Sequence, residues 1–171
     1  EIDLAFKAWE ENIYSQQVAF SDFCEYVLPY RRKDKYLLED SRMQFYERHS
    51  GCFSGQYTSF EEATDSILYK YVDFLHSGIH GAGIPVYSIA TLEQIKRGFC
   101  EHRCYFNSCL LSALGMPVVI DYVPHWGNRS STHSWNALVL DGEAYPFEPF
   151  WDNDRWKYKL IYSNTVSDQY W

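Results

Sequence analysis

The dipeptide Asp141-Gly142 stands between two runs of strand-forming residues, His133 to Leu140 and Glu143 to Phe150, and no other feature restricts the fold as tightly. Read as a two-residue hairpin turn, it fixes a register. Leu140 pairs with Glu143, Trp135 faces Glu148 and His133 faces Phe150. Strand side chains alternate, so His133, Trp135, Glu148 and Phe150 share one face, with His133 and Glu148 as diagonal neighbours. The same register sets Pro146 opposite Ala137 at a non-hydrogen-bonded position, where its missing N–H costs the ladder nothing. A three-residue turn would move Pro146 to a hydrogen-bonded position and turn Glu148 to the other face.

Upstream of the hairpin the pattern is helical. Ile2, Ala5, Phe6, Trp9 and Ile13 recur at helical spacing. Ser21 is placed to cap a short helix that ends near Pro29, and a third helix is expected from Lys35 to Arg48, before Gly51. Ser59 and Glu62 form a capping box ahead of a stripe of Ile67, Tyr71, Phe74 and Leu75, with Gly78 as the stop. Thr91 and Gln94 repeat the capping pattern before Gly98. A helix from Cys100 to Leu114 then buries Phe106, Leu110, Ala113 and Leu114 and is ended by Gly115 and Pro117. Val118-Val119-Ile120 reads as a buried strand, and Pro124 to Thr132 as a polar loop. The whole is one α+β domain over 1–171, with a helical part over 1–97 and a core over 98–171.

Five cysteines, Cys24, Cys52, Cys100, Cys104 and Cys109, do not suit a disulfide framework. Cys100, His102 and Cys104 lack the spacing and the second ligand pair of a zinc site, so no metal is expected. A thiol at a helix start is different, because free N–H groups and the helix dipole favour thiolate there. Cys100 follows Gly98 by two residues, and the glycine permits a sharp turn into the helix that exposes the first side chain. Cys104 and Cys109 fall inside the helix and read as small core residues. A thiolate needs a base, and the base an orienting partner; His133 and Glu148 on one strand face supply both. Each has a plainer alternative: an inert thiol, a strand histidine, a surface carboxylate. Gln94 either donates to an oxyanion or completes a helix cap. His125 and Trp126 either wall a groove or pack their loop, and Trp135 lies one pleat from His133.

A net charge of −8 argues against a nucleic-acid partner, and no run approaches the about 20 apolar residues of a membrane span. Aromatics reach 19%, with 15 Tyr and 6 Trp, which suits either a core or a peptide- or sugar-binding groove. Beginning at Glu1 with no initiator Met, the chain is expected to be a processed or excised piece, with room for further domains in the full-length protein.

Gly98-Phe99-Cys100, Ala113-Leu114-Gly115-Met116-Pro117-Val118, Asp121, Pro124, Trp126-Gly127-Asn128 and His133-Ser134-Trp135-Asn136 together resemble the bacterial branch of the transglutaminase-like superfamily. The resemblance covers about residues 88–150, and Phe20 to Arg31 resembles a segment that often precedes that core. It implies a papain-like fold with Cys100 as nucleophile, His133 as base and Glu148 as the third member, where the family usually has Asp. It implies thioester-mediated acyl transfer at an amide or peptide bond without a cofactor, on a peptide, protein or glycopeptide, in an extracytoplasmic setting. Hydrolysis is favoured over transamidation, since no calcium loop of EF-hand type is visible. A catalytically silent peptide- or glycan-binding module and a de-N-glycosylating amidase are the alternatives. The sequon Asn128-Arg129-Ser130 is read as a chance match in a bacterial protein.

Overall fold

The computed structural model describes residues 1–32, 41–53, 55–77, 87–125 and 132–151. Trp126, the sequon at Asn128, Gly78 and the expected helix start at Lys35 lie outside them. The architecture is mixed, with helices leading into a three-stranded antiparallel sheet, in keeping with the α+β expectation.

Helix α1 (Ile2–Glu11) buries Ala5 and Ala8, small residues that allow close approach to the core. Ile2 and Ile13 are exposed rather than buried: the helix stops at Glu11, so Ile13 leaves its stripe. The next helix starts after Ala19, not Ser21. A single turn, α2 (Phe20–Asp22), passes into a wide π turn over Phe23–Val27, which ends before Pro29 as expected. Helix α3 (Ser41–His49) follows. In α4 (Phe60–Tyr69), the Ser59 hydroxyl accepts the Glu62 N–H at 3.1 Å. The Glu62 carboxylate slips one residue, accepting the N–H and hydroxyl of Thr58 instead of the Ser59 N–H. Helix α4 is shorter than its stripe suggested. Tyr71 and Phe74 are buried from the turns beyond it, whereas Leu75 is exposed in a two-residue strand, β1 (Leu75–His76). β1 pairs in parallel with β2 (Arg97–Gly98).

Helix α5 (Ile89–Ile95) is capped by Ser88, whose hydroxyl accepts the Thr91 N–H, so the expected Thr91–Gln94 cap does not form. The earlier start brings both Ile89 and Leu92 onto a buried helical face, which a cap at Thr91 would have left incomplete.

Helix α6 (Cys100–Ala113) is the centre of the molecule, and every residue from His102 to Ala113 is buried. The expected single apolar face understated this, because Arg103, Asn107, Ser108 and Ser112 are enclosed as well. Phe106, fully buried, is ringed by Phe45, Tyr71 and Phe74, with ring centroids within 5.6 Å. Much of the aromatic content is therefore core.

The end of α6 is a Schellman motif: Met116 N–H donates to Leu111 C=O and Gly115 N–H to Ser112 C=O. Gly115 holds φ +81°, and a Cβ there would meet the Ser15 hydroxyl at 2.7 Å and the Ala8 carbonyl oxygen at 2.8 Å. Gly115→Ala combines a left-handed alanine with a clash against backbone. It should cost about 2–4 kcal/mol in urea unfolding, without moving the residues around Cys100. A change below about 1 kcal/mol would show that α1 yields.

Strands β3 (Val118–Val123), β4 (His133–Leu140) and β5 (Glu143–Phe147) form the sheet in that order. The turn residues Asp141 and Gly142 have φ of 53° and 77°, the positive pair of a type I′ turn. Leu140 pairs with Glu143 and Ala137 with Pro146, the register expected. The ladder stops at Asn136–Phe147, short of the Trp135–Glu148 and His133–Phe150 pairs. Phe150 packs edge-on against His76 and tilted against Phe74 instead of facing His133.

Candidate active site

Phe99 is extended, at φ −78° and ψ 173°, and α6 starts at the next residue, so Cys100 occupies its first turn. The Phe99 N–H donates to His102 Nδ1 at 3.2 Å. His102 is thus occupied as a cap and is not the base. Gly98 is needed here for a different reason than a sharp turn: a Cβ on it would meet His102 Cβ at 2.7 Å. The glycine lets the capping imidazole lie over the chain that leads into the helix.

His133 opens β4, and its imidazole lies close enough to the Cys100 thiol to lower it. Its Nε2 lies 3.7 Å from Glu148 Oε2, an ion-pair separation longer than a hydrogen bond. With Nε2 turned to the carboxylate, Nδ1 is the nitrogen left for the thiol. The structure therefore brings together Cys100, His133 and Glu148. All three are partly shielded, Cys100 being half-buried and the His133 and Glu148 side chains 23% and 18% exposed.

The electrostatics follow from this placement. Burial alone would push the Cys100 thiol up. The His133 imidazole and the backbone N–H groups of Ser134 and Glu101 outweigh burial and bring it below its ordinary value. Contact with Cys100 and then with Glu148 raises His133 to about 9, against the opposing effect of burial. Both shifts favour a thiolate–imidazolium pair near neutrality.

Trp135, buried, lies beside His133 with ring centroids 5.9 Å apart. It pairs across the sheet with Asp121. Burial raises the Asp121 carboxyl, and the neighbouring Trp135 indole partly offsets that. Asp121 thus lies across the sheet from Trp135, while Glu148 stands at the imidazole. Gln94 is exposed on α5, and among the described residues no hydrogen bond joins it to Cys100. Trp126 lies outside the described residues. Cys104 and Cys109 are buried and Cys24 is exposed. Among the described residues no group of His, Cys, Asp and Glu is arranged to hold a metal, and no helix is long and apolar enough to cross a membrane.

Sequence reasoning missed the polar groups beneath the triad. Arg103 Nε and Asn107 Nδ2 each donate to the Pro149 carbonyl at 3.0 Å, one residue beyond Glu148. Asn107 Nδ2 also donates to Asn136 Oδ1, and Asn136 Nδ2 reaches the carbonyls of Cys104 and Val119. Their signal was present as polar residues three and seven positions after Cys100, on its own helix face.

No family model matches this chain, and neither does any curated protein or solved structure, so its chemistry is read from the geometry of the site.

Proposed function

We propose that the chain is a cysteine-dependent acyl-transfer enzyme with a papain-like, transglutaminase-like site, acting on an amide or peptide carbonyl. The observation that carries this reading is the convergence of three groups from separate elements. Cys100 at the start of a helix meets His133 at the start of a strand, whose far nitrogen faces Glu148.

In this mechanism the Cys100 thiolate attacks the substrate carbonyl carbon. His133, as imidazolium, gives its proton to the leaving amine as the C–N bond breaks, leaving a thioester on Cys100. Water attacks the thioester next, losing a proton to His133, and the C–S bond breaks to release the acid. An amine in place of water gives transamidation by the same steps. Glu148 keeps the imidazole oriented and favours its charged form. The start of α6, with its helix dipole and the Cys100 backbone N–H, favours a developing oxyanion. The substrate is a peptide, protein or glycopeptide in an extracytoplasmic setting. Hydrolysis is the favoured outcome, and de-N-glycosylation is its closest variant.

A thiol-directed activity probe tests the reading. Wild type should be labelled at one site at neutral pH, and Cys100→Ala should lose that label while Cys24 and Cys52 react slowly. Equal labelling of the accessible cysteines would support a silent binding module of the same fold. Peptide and glycopeptide substrates then separate the two amidase chemistries.

A further inference from the structure

Glu148 lies just past the last ladder pair, yet its carboxylate stands at His133. Two restraints act on that short stretch of backbone. Pro149 follows directly, and a residue before proline is biased towards extended conformations. The Pro149 carbonyl then receives two donors from α6, Arg103 Nε and Asn107 Nδ2, both at 3.0 Å.

Arg103 is 1% exposed, and a guanidinium is a costly group to enclose. Its donors go to two backbone carbonyls, Pro149 and Tyr71, and its plane lies near the Phe74 ring at 4.8 Å. An apolar side chain could fill the space more cheaply but could not grip the chain after Glu148. Asn107, fully buried, uses its amide hydrogens on Pro149 C=O and Asn136 Oδ1. Asn136 closes the network by donating to Cys104 C=O on α6. One helix face thus carries Cys100, Arg103 and Asn107. It is joined to the strand that bears His133 and to the turn that bears Glu148.

We propose that Arg103 and Asn107 are positioning residues that hold the Glu148 carboxylate at His133 by clamping the Pro149 carbonyl. This deepens the acyl-transfer reading and rests on it. The part of both residues is to position, through the backbone at Pro149, rather than to react. They set how strongly Glu148 supports the imidazolium, and through it the thiolate.

The test is the pH dependence of Cys100 alkylation by iodoacetamide in the full chain. Wild type, Arg103→Lys, Asn107→Ala, Glu148→Gln and the double variant Arg103→Lys/Glu148→Gln are compared. The midpoint of the acid limb reads the thiol itself, which a purely structural role would leave in place. Arg103→Lys, Asn107→Ala and Glu148→Gln should each move it upward, by about half a unit or more. In the double variant, Arg103→Lys should add nothing to Glu148→Gln, because the carboxylate it positions is gone. Wild-type midpoints in the folded single variants would overturn the proposal, as would full additivity in the double variant. Loss of the folded near-ultraviolet spectrum in both clamp variants would overturn it too, showing that the network holds the core rather than the carboxylate. An undepressed wild-type midpoint near 9 would instead sink the acyl-transfer reading. The two failures are therefore distinguishable.

Discussion

In His133→Ala, the pH midpoint for alkylation of Cys100 should rise, and amide turnover should fall by about 10²–10⁴-fold. The ordinary thiol value is 9.0, burial acts to raise it, and the imidazole is the leading influence that lowers it. With the imidazole gone, burial is opposed only by the backbone N–H groups of Ser134 and Glu101. At about pH 7 a thiol at the ordinary value is only about 1% ionised, so each step towards it removes thiolate. The labelling rate is a blunter readout than the midpoint, since a more basic thiolate is also more nucleophilic and recovers part of the loss. Turnover has no such compensation, because the leaving amine also loses its proton donor. An unchanged midpoint in His133→Ala would mean that another group sets the thiolate.

The wild-type pH profile carries the second large effect, and its two limbs have different origins. His133 is raised to about 9, so imidazolium persists through neutrality and is lost as pH rises through about 9. Cys100 is lowered, so thiolate is present above its depressed midpoint and lost as pH falls through it. Turnover needs both and should be bell-shaped, falling on the alkaline side above about pH 9. Alkylation needs only thiolate and should not fall there. The limbs belong to the coupled pair, not to either residue alone. Alkylation and turnover that fell together on the alkaline side would count against His133 as the proton donor.

The parts of the site that were legible in the sequence are those set by local stereochemistry. Asp141-Gly142 admits the type I′ turn, that turn dictates the register, and the register carries Glu148 towards His133. Gly98, Phe99 and the apolar spacing beyond them define where α6 begins, and with it the place of Cys100. What escaped depended on tertiary choices between locally equal options. Ser88 and Thr91 can both cap α5, and burial of Ile89 and Leu92 decides between them. Phe150 reads in sequence as a continuation of β5, but Arg103 and Asn107 pull the chain at Pro149 onto the helix and end the ladder. A buried arginine on a helix surface looks in sequence like a solvated charge, and only its carbonyl partners reveal its use.

The far end of α6 is sealed by the chain's own beginning: Asn12 Nδ2 donates to the Leu114 carbonyl at 2.7 Å, across 102 residues, and Ala8 and Ser15 crowd Gly115. The helix that carries Cys100 is therefore completed by a contact that spans 102 residues of sequence. Loop closure over such a span is slow compared with helix formation, so the site should mature late in folding, after the local helices exist. During synthesis, the segment around Asn12 would wait for Leu114 to clear the ribosome before its buried surface finds its place. A fragment begun at Gly98 would carry Cys100, His133 and Glu148 yet leave α6 without that seal.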